Sequence, residues 1–490
     1  MDLSSGIDGQ QNGSTKREWS LFSIFGRVYY TFDSKYLVEG VVRRDGSSRF
    51  AAGNRYGVFP AFSLGWIVSR EGFMASTRSW LDNLKLRGGY GLTGNDQMDN
   101  YNYFSTYIFQ MDMGQGSIYA LNGANGQQGT IGFRPDRLGV ENVKWEATRT
   151  ANIGIDIAAF KGVSLTFDLW QRRTTDMLFP QSIPQVFGRF SNPSVNVGEM
   201  LNTGFELDLG YRGTALGRDL NYQLSLNISR YKNEIISLGN DKYLDGGGFR
   251  QNVYTRSEVG HAFPEFYGYI VDGFFETQAE VDKHATFGDY NAVGRYKFRD
   301  VNNDGRITTD DRTYIGSPHP DFVGGLNFNL EYKGFDLNGQ FYGSYGNQVI
   351  NYVRRWIDFD QFIGGRSYES LYKSWGSKYL VGKAILPKAE TGAASSTNQL
   401  PSTAFIEDAS YLRLRNLQLG YNLGKLLNTP AVNSLRLYVQ VTNLFTLTKY
   451  SGLDPETNSG TGRDNARNYG MDQGQWPTPR QVMFGITLGL

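Results

Sequence analysis

The sequence predicts an all-β fold, a transmembrane antiparallel β-barrel, and three observations carry that expectation. Apolar and polar residues alternate in stretches of about ten along the whole chain, as in strands with one face in lipid and the other in water. The connections between those stretches are by turns short and long. No apolar run reaches the roughly 18 residues that a spanning helix needs.

The alternation is clearest from Leu220 to Ile228, where Leu220, Tyr222, Leu224, Leu226 and Ile228 share one face and Asn221, Gln223, Ser225 and Asn227 the other. Val163, Leu165, Phe167 and Leu169 alternate likewise with Ser164, Thr166 and Asp168, and Val482, Phe484, Ile486, Leu488 and Leu490 with mostly small or polar residues. The same test gives thirteen strands, near 20–32, 36–45, 57–68, 84–94, 147–158, 163–174, 203–211, 220–231, 322–332, 335–345, 408–422, 434–447 and 481–490. In 408–422 the apolar face switches near Arg415 and Asn416, which predicts a β-bulge or a strand rising above the bilayer. Helix is expected only in short pieces, around Thr277 to Lys283 and Gly365 to Trp375.

The connections sort into two sides. Those at 33–35, 161–162, 211–218, 333–334 and 424–433 are tight or modest, whereas 95–146, 175–202, 232–321, 346–407 and 448–480 are long. Outer-membrane barrels have short periplasmic turns and long extracellular loops, so the order assigns each connection a side. Thirteen is odd, while bacterial single-chain barrels have even strand numbers. Residues 1–490 are therefore expected to form the last thirteen strands of a barrel of about 22, with about nine strands lying elsewhere.

Composition agrees and excludes other classes. Glycine (60) and aromatic residues (8 Trp, 31 Tyr, 32 Phe) are abundant, and a mean hydropathy of −0.43 suits a barrel in which only alternate residues face lipid. The net charge of +1 with no basic stripe argues against nucleic acid as a partner. The lack of cysteine excludes disulfides and thiolate chemistry. Residues 1–20 are polar and lack the apolar core of a secretory signal, so any such signal is expected upstream.

Several segments resemble signatures of the SusC/RagA family of TonB-dependent outer-membrane transporters. They are Phe25 to Tyr30 (FGRVYY), Lys35 to Leu37, Arg43 to Phe50 (RRDGSSRF), Phe59-Pro60, Leu64 to Trp66, Leu84 to Asn95 (LKLRGGYGLTGN), Glu407 to Tyr421 (EDASYLRLRNLQLGY) and Asn443 to Glu456 (NLFTLTKYSGLDPE). Their order resembles the family from about residue 20 to the end. The resemblance implies a plug-filled barrel in the cell outer membrane, a SusD-like surface lipoprotein as lid, and import of oligosaccharides or peptides driven by the TonB complex. The family's plug and TonB box have no counterpart in this sequence, so coupling to TonB is expected through an N-terminal region not contained in it.

One local motif suggests a metal. Asp300 to Asp311 fits an EF-hand-type calcium loop within the long extracellular connection 232–321: side-chain oxygens from Asp300, Asn302 and Asp304, Gly305 for the sharp turn, the Arg306 carbonyl, Thr308, and Asp311 in place of the usual Glu. A structural Ca2+ is the expectation, and an ion-free turn rich in Asn and Asp the plainer alternative. Aromatic loop residues Tyr101, Tyr103, Tyr107, Trp356, Tyr368, Tyr372 and Trp375 could stack on sugar rings or grip peptides, although girdles and loop packing account for most such residues. His261, His284 and His319 are scattered and no HExxH, GxSxG or P-loop occurs, so no enzyme is expected. A non-transporting adhesin or glycan-binding surface barrel remains the alternative function.

Overall fold

The computed structural model describes residues 16–109, 118–119, 130–131, 133–180, 193–246, 252–359, 366–423, 434–457 and 466–489. Thirteen strands form one continuous antiparallel sheet in chain order: β1 (Leu21–Phe32), β2 (Tyr36–Ser47), β3 (Tyr56–Ile67), β4 (Leu81–Asn95), β5 (Glu146–Ala159), β6 (Val163–Pro180), β7 (Ser194–Ala215), β8 (Leu220–Ser237), β9 (Phe322–Tyr332), β10 (Phe335–Tyr345), β11 (Tyr411–Asn422), β12 (Ser434–Thr442) and β13 (Gln481–Gly489). All thirteen expected strands are present. Their register puts like with like: Leu226 stands beside Leu209 and Leu326, and Asn227 beside Asp208 and Gly325. A slip of one residue would move every apolar side chain to the inner face.

Three local expectations are corrected. The connection expected at 175–202 is largely strand, because β6 and β7 continue as a pair to Pro180 and Ser194; residues 181–192 lie outside the described residues. The strand expected at 434–447 is broken: β12 stops at Thr442, Asn443 turns through a left-handed conformation (φ 52°), and Thr446–Thr448 pairs separately with Tyr411–Arg413. Two short helices, Val353–Ile357 and Ala393–Asn398, add to the expected pair, which occur as Gln278–Lys283 and Tyr368–Tyr372. The face switch in β11 is a bulge, with Gln340 opposite Asn416 and Phe341 opposite Leu414, so that Arg415 is the extra residue.

The rim with short turns carries an aromatic belt on its outer side. Tyr36 lies against Phe32 and Trp66, Trp80 on Phe160, Tyr211 beside Tyr222 and Phe335 beside Tyr421, with ring centroids 4.4–6.4 Å apart. Such rings settle where lipid headgroups meet acyl chains. The inner face is laced by ion pairs that reach over a glycine. Arg87 on β4 donates to both Asp168 oxygens on β6 (2.7 and 2.5 Å) across Gly154 of β5, and Arg436 on β12 pairs with Asp336 on β10 across Gly420 of β11. A Cβ at Gly154 would lie 2.6 Å from Asp168 Oδ1, and one at Gly420 2.4 Å from Asp336 Oδ1. Those two glycines clear the path for charge pairing.

Among the described residues, β1 pairs only with β2 and β13 only with β12. Every residue of β1 is exposed on both faces. Such edges present unpaired N–H and C=O groups, which lipid cannot satisfy. The polypeptide 1–490 expressed by itself in an outer membrane is expected to give no heat-modifiable band on a gel; a folded band that shifts on boiling would show that these edges close unaided.

Candidate functional site

At the opposite rim, the connections after β8, β10 and β12 fold into a single cap with its own core. Tyr254, Phe266, Tyr290, Phe298 and Ile307 come from the first, Ile350, Leu386 and Phe405 from the second and Met471 from the third, and all are buried. Short strands tie the segments together: Gln348–Asn351 pairs antiparallel with Ile406–Asp408 and parallel with Met471–Asp472. Thr255–Glu258 and Glu265–Gly268 lie in a four-stranded sheet with Tyr243–Asp245 and Thr313–Gly316. Arg295 pairs with Glu390 (2.7 and 3.0 Å) between the first connection and the second, and within the second Arg354 reaches Glu407 (3.5 Å). Tyr450 donates to Asp472 at 2.6 Å, and burial pushes its phenol well above the ordinary range, so it remains a neutral donor.

The predicted metal loop is an ordered part of this cap. Asp300 accepts from the Gly305 N–H at 2.8 Å, Asn302 from the Asp304 N–H at 2.9 Å and Asp304 from the Arg306 N–H at 2.8 Å, so three side chains gather round one turn. Gly305 there has φ +82°, which an L side chain rarely adopts. Arg306 forms a bridge with Thr286, and Thr308 caps the turn Thr309–Asp311. Asp311 is set apart from the others. It is fully buried, and its carboxylate accepts from Val301 N at 2.8 Å and Thr308 N at 2.7 Å. Asp311→Ala removes both charge-assisted bonds and is expected to loosen the loop by about 3 kcal/mol; amide hydrogen exchange at Val301 and Thr308 should accelerate accordingly.

Beneath the cap, on the inner face, lies a cavity of about 290 Å³ walled by Tyr231, Tyr342, Tyr411 and Tyr469 together with Gln348 and Glu456. His319 packs against the Tyr231 and Tyr469 rings. Its Nε2 donates to the Phe263 carbonyl and its Nδ1 accepts from the Tyr231 hydroxyl, each at 3.1 Å, and burial lowers its pKa, so the ring is neutral. Below Tyr411, the buried Arg413 donates to Thr446 (2.9 Å), Glu456 (3.0 Å) and Asp454 (2.5 Å), and Arg415 also reaches Glu456 (2.6 Å). Aromatic faces, amides and fixed charges suit noncovalent binding. The other histidines pack: His261 stacks on Tyr314 and bonds Glu265, and His284 bonds the Phe298 carbonyl.

The comparisons with known proteins identify the wall and cap together. The family model described as "TonB dependent receptor-like, beta-barrel" matches residues 2–444. This chain belongs to that family. This chain is 31% identical over 497 residues to TonB-dependent receptor P3 of Formosa agariphila, covering 99% of this chain and 47% of that one. It is 28% identical to TonB-dependent receptor SusC of Bacteroides thetaiotaomicron, over 96% of this chain and 44% of that one. The solved structure of the RagAB peptide transporter superposes with a TM-score of 0.77 at 26% identity, covering all of this chain and 50% of that one. The chain thus spans about half the length of the relatives it matches. It is an outer-membrane β-barrel protein of the SusC/RagA type.

Of the predicted loop aromatics, Tyr368 and Tyr372 stack on each other at the surface, and Tyr368 is 82% exposed. Trp356 packs against the cap core and Trp375 over Gly294. Tyr101 and Tyr107 are exposed, and Tyr103 packs on Phe104. None of these seven lines the tyrosine cavity. Sequence reasoning missed Tyr231, Tyr342, Tyr411 and Arg413, although one signal was present: all four sit at polar-face positions of strands, where an aromatic ring or a lone arginine has no lipid to meet.

Proposed function

We propose that this chain forms the C-terminal wall and surface cap of an energised outer-membrane importer, which takes up oligosaccharides or peptides beneath a SusD-like lipoprotein lid. The observation that carries the reading is the cap: three long connections fold on one core over the inner cavity, giving a rigid surface for a lid to meet. Coupling to the TonB complex would act through sequence beyond this chain, in the half of its relatives' length that it does not span. A transporter needs a gated path and binding groups rather than bond-breaking chemistry, and the tyrosine rings, Gln348 and ion-paired Glu456 of the cavity would serve as such groups.

Ca2+ at Asp300, Asn302 and Asp304, with the Arg306 carbonyl and Thr308, is part of this proposal. The three clustered side chains favour it, since a hard divalent ion takes oxygen ligands. Asp311, held by backbone donors, would hold the loop around the ion from behind. Calcium addition should then protect the 300–311 segment from proteolysis in the full-length protein, and equal cleavage with calcium and with chelator would remove the ion from the account.

The import reading is tested by uptake. Cells making the full-length protein should accumulate labelled oligosaccharide or peptide, and accumulation should fall to background when the TonB gene is deleted. Binding of label to the surface that is unchanged by loss of TonB, with no accumulation, would make the protein an adhesin instead.

A further inference from the structure

On the outer, lipid-facing side of the wall, just below the cap, two glycines stand directly opposite each other: Gly324 on β9 and Gly343 on β10. A neighbouring ring can cover an outward glycine on a barrel wall and protect the bare backbone. Gly339 is covered in this way, because the Phe328 ring lies across it. The Gly324 and Gly343 pair is not covered. The nearest side-chain atoms to their Cβ positions are Ile228 Cγ1 at 3.7 Å and Leu412 Cδ1 at 3.4 Å, both beside the pair rather than over it.

The result is a hollow of about 820 Å³ with a glycine floor. Leu226 and Ile228 wall it on the β8 side, Leu412 and Leu447 on the β11 side, and Leu326 and Phe341 below. Above, the Phe322 and Tyr345 rings stack with centroids 5.1 Å apart. The floor lies two residues beneath that pair, roughly 7 Å along the strand, at the depth where acyl chains begin below an aromatic belt. Lys449 stands at the mouth, and Arg230 projects outward and exposed two residues above Ile228, next to the Ser229 and Val323 pair. The one carboxylate there, Asp408, is held by the backbone N–H and hydroxyl of Ser410 (2.9 and 2.5 Å), which with Lys449 nearby lower its pKa.

We propose that this hollow is a binding site for a phosphorylated glycolipid of the outer leaflet, with one acyl chain seated on the Gly324 and Gly343 floor and headgroup phosphates on Arg230 and Lys449. Lys449 follows the short strand paired with β11, so the two cations stand four strand spacings apart, about 19 Å between backbones, a span that two long side chains reaching toward each other narrow to that of a headgroup with phosphates at both ends, and too wide for a single phosphodiester. The assignment to the outer leaflet rests on the reading that the cap is extracellular. Lipid retention is read on purified protein without uptake, so a failure of the transport reading and a failure of this one remain distinguishable.

The test is native mass spectrometry of the full-length protein reconstituted with lipid A, with phosphatidylglycerol or with phosphatidylcholine. Lipid A should stay bound, and the other two should not. Arg230→Gln and Lys449→Gln should each lower retention about fivefold, the worth of one cation at a membrane surface. Leu412→Trp, which lays a ring over Gly343 as Phe328 covers Gly339, should abolish retention while the protein still shifts on heating in a gel. If Leu412→Trp does not fold, Leu447→Trp serves the same purpose. Retention unchanged in the filled variant, or phosphatidylglycerol held as firmly as lipid A, would overturn the proposal.

Discussion

Phe266→Ala is expected to melt the surface cap while leaving the barrel wall in place. Phe266 is fully buried, and it touches more than its own segment: a Cβ at Gly470, from the connection after β12, would lie 2.9 Å from its ring. Truncating such a ring costs about 3–5 kcal/mol, because the lost contacts and the cavity add. The cap core draws on three connections, so the loss cannot stay local. Hydrogen exchange should rise together at Thr255–Glu258, Gln348–Asn351 and Met471–Asp472, whereas β8, β9 and β10 keep their protection. Faster exchange confined to Glu265–Gly268 would mean that the three connections are separate loops.

Arg413→Met is the second large effect, and it acts through charge. Arg413 is 3% exposed and bridges Asp454 and Glu456, two carboxylates about forty residues further along the chain. Glu456 keeps Arg415, but Asp454 loses its counterion in a half-buried setting. Removing one partner of such a pair costs about 3–5 kcal/mol, since the remaining charge is left unpaired, and the segment from Asp454 to Thr478 should become protease-sensitive. Acid should do the same to the unaltered protein. Burial opposes ionisation of Asp454, but N–H donors from Thr478 and Glu456, with Arg413, outweigh it, and its carboxyl sits below the ordinary 3.8. A carboxylate with a lowered folded-state pKa stabilises above the ordinary value and loses that contribution as the pH falls through the folded one. Cleavage of this segment should therefore be flat from neutrality to about pH 4 and rise below it, with the Met variant sensitive throughout.

The wall was legible because lipid imposes one rule on every strand. From Leu220 to Ile228 the outer face must be apolar and the inner face polar, and no tertiary contact can override that. Where the strands leave the bilayer, both faces meet water or protein, and the rule lapses: the outer stretch of β6 from Thr175 to Pro180 reads as loop, yet it pairs with β7. Asn443 shows a different limit, since its left-handed turn ends β12 inside a stretch whose alternation continues.

The cap was illegible for a third reason. Its strands are two to four residues long, too short to show a period, and Tyr254, Phe405 and Met471 meet only after chain segments more than 200 residues apart come together. Of the metal motif, the turn built by Asp300, Asn302 and Asp304 could be read from spacing alone. The burial of Asp311 could not, because it depends on the N–H groups of Val301 and Thr308 folding back over its carboxylate.

The central claim is that this chain is a stretch of outer-membrane barrel wall with its cap outside the cell and its short turns inside. Because the chain lacks cysteine, single cysteines can report this directly in a full-length protein freed of any others. With a membrane-impermeant maleimide, Lys242→Cys in the cap should label on intact cells and Asp219→Cys in the turn between β7 and β8 only after the outer membrane is permeabilised. Labelling of Asp219→Cys on intact cells at the rate of Lys242→Cys would contradict the account.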